Sequence, residues 1–350
     1  MPLDKDAVRV VARLPLVRGD TILAVQAAGV EGEVLVDQSP RTDSLEIKQG
    51  VLRLGSPDSI DAATSIETPA HDGPAAQVAG ADVSTRYVVW METPSTELNV
   101  VPWVLYGYDR RTGTTQELAR TKLIDGHDPP AVPGWTGPVL SGDRVFWAQM
   151  SGSYGAERVS VFGCRVDRCK PRRYASGAAY PAVTGDALYV ISMPQFAGKG
   201  HGRLMRLRRI DLGSGKTTTV REIDLMAGQA PSGLAAHRRR VAWIVAGRTR
   251  DTISILDTRS GATTTVRSGH EGGFGYPEIT SRFVCWAESS GNSPADVGGY
   301  LYDFAAAKLY SLGNTSGLYG VHCNGNTVTW QGSESGARLE DIVNVVGRLR

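Results

Sequence analysis

Three dipeptides in this chain join an imidazole to a carboxylate: His71-Asp72, His127-Asp128 and His270-Glu271. Histidine exchanges a proton near neutral pH, and its neutral ring nitrogens bind divalent metals. An adjacent carboxylate orients such a ring or completes a ligand set. If the three pairs converge, the chemistry open to them is acid–base or metal-assisted bond cleavage, that of a lyase or hydrolase. Read singly, each pair is a loop former whose carboxylate caps local backbone amides. Tyr180, Gln229, Glu278 and Tyr319 are expected at neighbouring positions of an axial funnel and join the candidate site as lining residues. His201 sits in a glycine-rich stretch and reads as solvated, while His237 and His322 read as structural.

The four cysteines offer a second kind of chemistry. Cys164 and Cys169 flank a turn, and a bond between them would close a loop of about six residues, contributing roughly 2 kcal/mol. Cys285 and Cys323 both stand in strand-like segments and form the second expected pair, with four reduced thiols as the alternative. A zinc site at these cysteines is not expected, because no second close pair or histidine stands at zinc-ligand spacing.

These residues need elements to position them, and the chain supplies a repeat. An apolar strand, a turn with Gly, Asp or Arg, and a strand ending in tryptophan recur at Ala81–Trp90, Val139–Trp147, Arg240–Trp243, Arg282–Trp286 and Asn326–Trp330. Pro181–Val190 is a copy without the tryptophan, and Pro15–Ala24 a weaker one at the start. Positions 24, 90, 147, 190, 243, 286 and 330 are separated by steps of 66, 57, 43, 53, 43 and 44. The short steps match a unit of four strands, and the long ones leave room for loop insertions. A second phrase follows most copies: Asp109 with Gly113, Asp211 with Gly215, and Asp257 with Gly261, each before a run of threonines. Asp bonds its own turn, Gly supplies a positive φ, and Thr resumes the strand. At Asp303 the same phrase carries alanine in place of glycine.

On these turns the chain resembles the broad β-propeller superfamily of TolB-like and YVTN-type repeats, whose outer hairpins carry a similar Asp-x-x-x-Gly turn. The resemblance implies an architecture and no activity. The expected fold is all-β, a seven-bladed β-propeller spanning residues 1–350 as one domain, with six blades and an N-terminal extension as the alternative. Asp341–Val346 is expected to pair with Ala7–Ala12, closing the ring with strands from both termini and removing the sheet edges. Leu339, Ile342, Val343 and Val346 also fit a helical stripe. The recurring tryptophans read as wedges between sheets. Trp103 and Trp135 fall outside the series and are candidate contact residues.

Charge and hydropathy exclude several classes. Lys and Arg number 38 against 36 Asp and Glu, so the balance gives no reason to expect specific nucleic-acid binding. No apolar run is long enough to span a bilayer, and the charged first residues contain no signal peptide. Between Cys164 and Glu222 Arg and Lys outnumber acids, which makes that flank a candidate surface for an anionic polymer, or a solvated edge. The expected function is a monomeric, extracytoplasmic or secreted binding protein that engages a protein or cell-envelope component through its loop face. It is read as non-catalytic and without a cofactor. The alternative is a propeller enzyme with the histidine–carboxylate cluster, with or without a divalent metal, at the axial funnel.

Overall fold

The computed structural model describes residues 7–41, 49–68, 75–94, 102–130, 132, 137–153, 155–200, 202–248, 250–267, 275–289, 297–315, 320–333 and 338–350. The chain folds into seven antiparallel blades of four principal strands each, a seven-bladed β-propeller. Contacts divide it into two compact units, Thr68–Arg238 and the remainder, Met1–Glu67 with Arg239–Arg350.

The second, third and fourth blades lie in Thr68–Arg238. Their first strands are Gln77–Val83, Val139–Ser141 and Ala178–Thr184, and their second strands Tyr87–Thr93, Arg144–Ser151 and Ala187–Ser192. Third strands follow at Val104–Asp109, Arg158–Arg165 and Leu204–Asp211, and fourth strands at Thr114–Arg120, Arg172–Ser176 and Thr217–Asp224. Because every neighbour is antiparallel, the connections from one blade to the next and those from second to third strand leave a blade at the same end.

In the other unit the sixth and seventh blades form one continuous sheet, bridged at Thr315 and Gly332. The seventh blade takes Val321–Asn324, Thr327–Ser333 and Ile342–Leu349 from the C-terminal part of the chain, and Val8–Pro15 from the N-terminal part. Val8 faces Leu349 and Pro15 faces Val343, so strands from the two ends of the sequence close the last sheet. The helical alternative for this segment is not adopted. One 3-10 turn, Leu339–Asp341, precedes a strand whose Val345 and Val346 are buried. Gly347 is required there, since a Cβ would meet Val8 Cγ1 at 2.3 Å and Trp330 Cζ3 at 3.1 Å.

The tryptophan series marks second strands. Trp90, Trp147, Trp243, Trp286 and Trp330 all occupy them and are buried. Three of them belong to core clusters that span neighbouring blades: Trp147 with Tyr87, Val89 and Leu105, Trp286 with Ile244 and Ile253, and Trp330 with Phe283 and Leu301. Truncating one to alanine removes contacts on both sheets and costs about 3–5 kcal/mol. The weak first copy is displaced by one strand. Ala24 lies on Thr21–Ala28 and faces Asp37, in the way that Ala81 faces Trp90. Asp37, on Val34–Pro40, therefore holds the second-strand position in blade one.

The outer hairpin turns follow the sequence. Asp109, Asp211, Asp257 and Asp303 accept backbone N–H bonds from within their turns, at 2.9 Å from Arg111, 2.8 Å from Ser214, 2.9 Å from Arg259 and 2.7 Å from Ala305. Gly113, Gly215 and Gly261 have φ of 71°, 71° and 74°, and Ala307 adopts 51° in the place of the glycine. A feature absent from the sequence reading ties these turns back to the sheet. Arg86, Arg239 and Arg282, each just before a second strand, pair with the turn aspartates Asp109, Asp257 and Asp303 at 2.8, 2.9 and 2.6 Å.

Candidate functional site

In the unit Thr68–Arg238 the connection from blade two to blade three carries His127-Asp128, the one of the three histidine–acid dipeptides that lies among the described residues. Ile124-Asp125-Gly126-His127 is a miniature hairpin. Ile124 N–H donates to the His127 carbonyl at 2.8 Å and His127 N–H to the Ile124 carbonyl at 3.0 Å. Asp125 and Gly126 have φ of 50° and 83°, the two positive values that a type I′ turn requires. Ile124 is buried, and this anchors the hairpin so that Leu123, His127 and Asp128 face solvent. The Asp-Gly pair was the sequence signal for this turn.

Beside the hairpin lies a shallow cleft of about 10 Å³, lined by Trp103, Lys122, Pro129, Pro130, Gln149 and Met150. Trp103 immediately precedes the third strand of blade two and is fixed by Thr121, whose hydroxyl oxygen accepts Trp103 N–H at 2.8 Å. Gln149 lies on the second strand of blade three, where its Oε1 accepts the Trp147 indole N–H at 3.0 Å. Trp90 repeats the device one blade earlier, donating to Glu92 Oε1 at 2.8 Å. Thr68 donates to the same oxygen at 2.7 Å. Glu92 is buried, and burial, with this carboxylate nearby, pushes the Tyr106 hydroxyl up to about 12. Trp103 thus joins the cleft wall although the indole itself is buried. Trp135 lies outside the described residues.

Tyr180 and Gln229, two further lining candidates, are both held by hydrogen bonds. Tyr180 is buried with φ of 55°, and its hydroxyl donates to the Pro231 carbonyl at 2.8 Å. Gln229 closes the connection from blade four to blade five: its Oε1 accepts Met226 N–H at 2.9 Å while its own N–H donates to the Met226 carbonyl at 3.0 Å. That closed turn projects Met226, which is 64% exposed; Leu123 on the previous described hairpin is 61% exposed. In the other unit Tyr276, on the connection into blade six, is 47% exposed. His71, Asp72, His270, Glu271 and Tyr319 lie outside the described residues.

The other unit assembles a different cluster. Glu278, on the first strand of blade six, faces Cys285 on the second. Its carboxylate accepts Cys323 N–H at 2.6 Å, and His322 Nδ1 stands 2.7 Å from its other oxygen as donor. Cys285 and Cys323 are joined as a disulfide, as are Cys164 and Cys169. Each expected pair forms.

The basic run from Cys164 to Glu222 is partly compensated. Arg206 pairs with Glu222 at 2.6 Å, Arg209 with Asp211 at 3.7 Å, and Arg165 with Asp143 and Asp167. Lys170, Arg172 and Arg173 lie exposed on and beside the outer strand Arg172–Ser176, where charge discourages strand addition.

No family model and no curated protein matches this chain. Solved structures do. An oligogalacturonate lyase in complex with manganese is 7% identical over 100% of this chain and 97% of its own, with a TM-score of 0.57. The oligogalacturonate lyase of Vibrio parahaemolyticus is 9% identical over 97% of this chain and 96% of its own, at 0.54. The Pyrococcus horikoshii acylaminoacyl peptidase reaches 0.60 at 9% identity, covering 89% of this chain and 49% of that one. The likeness is one of fold. Among the described residues, no helix is long and apolar enough to cross a membrane.

Proposed function

We propose that this propeller is a binding protein that docks a protein partner on its blade-to-blade connections. Two rigid turns that present large apolar side chains to solvent, Leu123 and Met226, carry the reading. Both belong to connections that leave the sheets of Thr68–Arg238 at the same end. Both are pre-ordered by closed hydrogen-bonded turns, so binding would cost little loop entropy. The Trp103 cleft beside Leu123 offers an apolar wall with a lysine and an amide, the mixture of a contact core and its polar rim. Two disulfides support an oxidising, extracytoplasmic setting, with the partner a secreted or envelope protein.

A photo-crosslinking residue at position 123 or 226 is expected to capture one discrete protein partner in cells. The same residue at Lys216, on a turn at the opposite end, should capture none. With that partner purified, Leu123→Asp and Met226→Asp each weaken binding at least about tenfold while circular dichroism stays unchanged. Indiscriminate adducts from all three positions, or full affinity in both variants, overturn the reading. So does bond-cleaving turnover that one equivalent of divalent metal supports and that combined His127→Ala and His270→Ala abolish; this would establish the lyase or hydrolase alternative instead.

A further inference from the structure

We infer that the reduced form of Cys285 and Cys323 is a metal site: with Glu278, the two thiolates form a three-ligand pocket for a zinc-class divalent ion. The ion and the disulfide exclude one another. This inference is independent of the docking surface proposed above.

The geometry is unusual for this chain. The two sulfurs are held together by their bond, and one carboxylate oxygen of Glu278 lies within 4.8 Å of both; no other trio of acid, histidine and cysteine among the described residues is grouped this way. Zinc holds thiolate at about 2.3 Å and carboxylate at about 2.0–2.2 Å, so tetrahedral ligands stand roughly 3.5–3.8 Å apart. Once the bond between the sulfurs is broken, small side-chain rotations suffice to reach that spacing. The carboxylate is already oriented by Cys323 N–H and the His322 ring, the kind of outer support that metal-binding carboxylates carry. The sulfurs are buried among Phe283, Leu301, Val321 and Trp330, while Glu278 is only half-buried, which leaves a way in for the ion and a fourth ligand.

An acid that staples one first strand to the next is not itself the signal. Asp82 does the same between blades two and three, accepting Leu140 N–H at 2.7 Å. What distinguishes blades six and seven is the sulfur pair beside the staple. A dithiol reductant opens it by exchange: a reductant thiolate attacks one sulfur, its second thiol resolves the mixed disulfide, and two electrons pass to the protein as the reductant becomes a cyclic disulfide. The two cysteine thiols then lose two protons as they bind the cation.

The test uses the full chain with Cys164→Ser and Cys169→Ser, so that a single pair remains. After anaerobic reduction with dithiothreitol and desalting, cobalt(II) is titrated while circular dichroism reports the fold. The expected result is one equivalent bound with a thiolate-to-cobalt charge-transfer band, displaced by one equivalent of zinc(II). The oxidised protein should show no such band. E278Q should weaken cobalt binding at least about tenfold, and D82N should leave it unchanged. A folded, reduced protein without the band, or one indifferent to E278Q, overturns the inference. Loss of the native dichroism on reduction also overturns it, because the three ligands would no longer share one place.

Discussion

At the scale of single residues, the outer hairpins carry a controlled comparison. Gly261 and Ala307 occupy the same turn position at positive φ, one without strain and one with it. No atom lies within 4 Å of a Cβ built on Gly261, so its replacement by alanine changes backbone energy alone. Gly261→Ala should destabilise by about 1 kcal/mol and Ala307→Gly should stabilise by about the same, seen as opposite shifts of the urea midpoint. The indole acceptors give a second case. Glu92→Gln keeps an acceptor for Trp90 and should be mild, whereas Glu92→Leu leaves a buried indole N–H unpaired and costs about 1–3 kcal/mol by chemical denaturation. The tryptophans were readable because volume repeats in sequence; their hydrogen-bond partners two residues on were not, because Glu and Gln on a strand ordinarily face water.

At the scale of elements, the arginine–aspartate ties couple each outer turn to the start of a second strand. Asp303 is the informative member, since its side chain is fully buried. Burial pushes its carboxyl up, but the Arg282 guanidinium and the N–H groups of Ala306 and Ala305 outweigh this and hold it below the usual carboxylate range. Arg86 first, with Arg111 N–H, lowers Asp109, and Ser260 N–H first, with Arg259 N–H, lowers Asp257. A carboxylate depressed in the folded state contributes stability that is fully present above its unfolded value, about 3.9, and lost as pH falls through the folded value. Urea midpoints should therefore fall steeply between about pH 4 and pH 2, and Asp303→Asn should flatten that slope while lowering stability at pH 7 by about 2–4 kcal/mol. The turns themselves were legible, being set within five residues. The arginines were not, because each lies 18 to 23 positions from its aspartate.

At the scale of the molecule, the closing sheet and the disulfides govern cooperativity. Deleting the strand Val8–Pro15 exposes Ile342–Leu349 as an open edge beside Trp330 and Val345, and should yield a protein that aggregates in size-exclusion chromatography. The two disulfides differ in the loop they close, with sequence separations of 5 and 38. Replacing Cys285 and Cys323 by serine should cost about 4 kcal/mol, against about 2 kcal/mol for Cys164 and Cys169, since loop-closure entropy grows with loop length.

By itself the sequence determined the all-β repeat, the positions of the second strands from Trp90 onward, the hairpin turns, both disulfide pairs and the pairing of the two chain ends. Each rests on local chemistry: turn geometry, β-branched runs, bulky residues at a fixed interval. Tertiary structure alone decided that blade one begins a strand later than Ala24 suggests, because register between two equally apolar strands depends on partners elsewhere in the chain. It also decided that Leu123 and Met226 face water and that Tyr180 is buried. Exposure is a property of what packs over a residue, and a loop's neighbours are not written beside it.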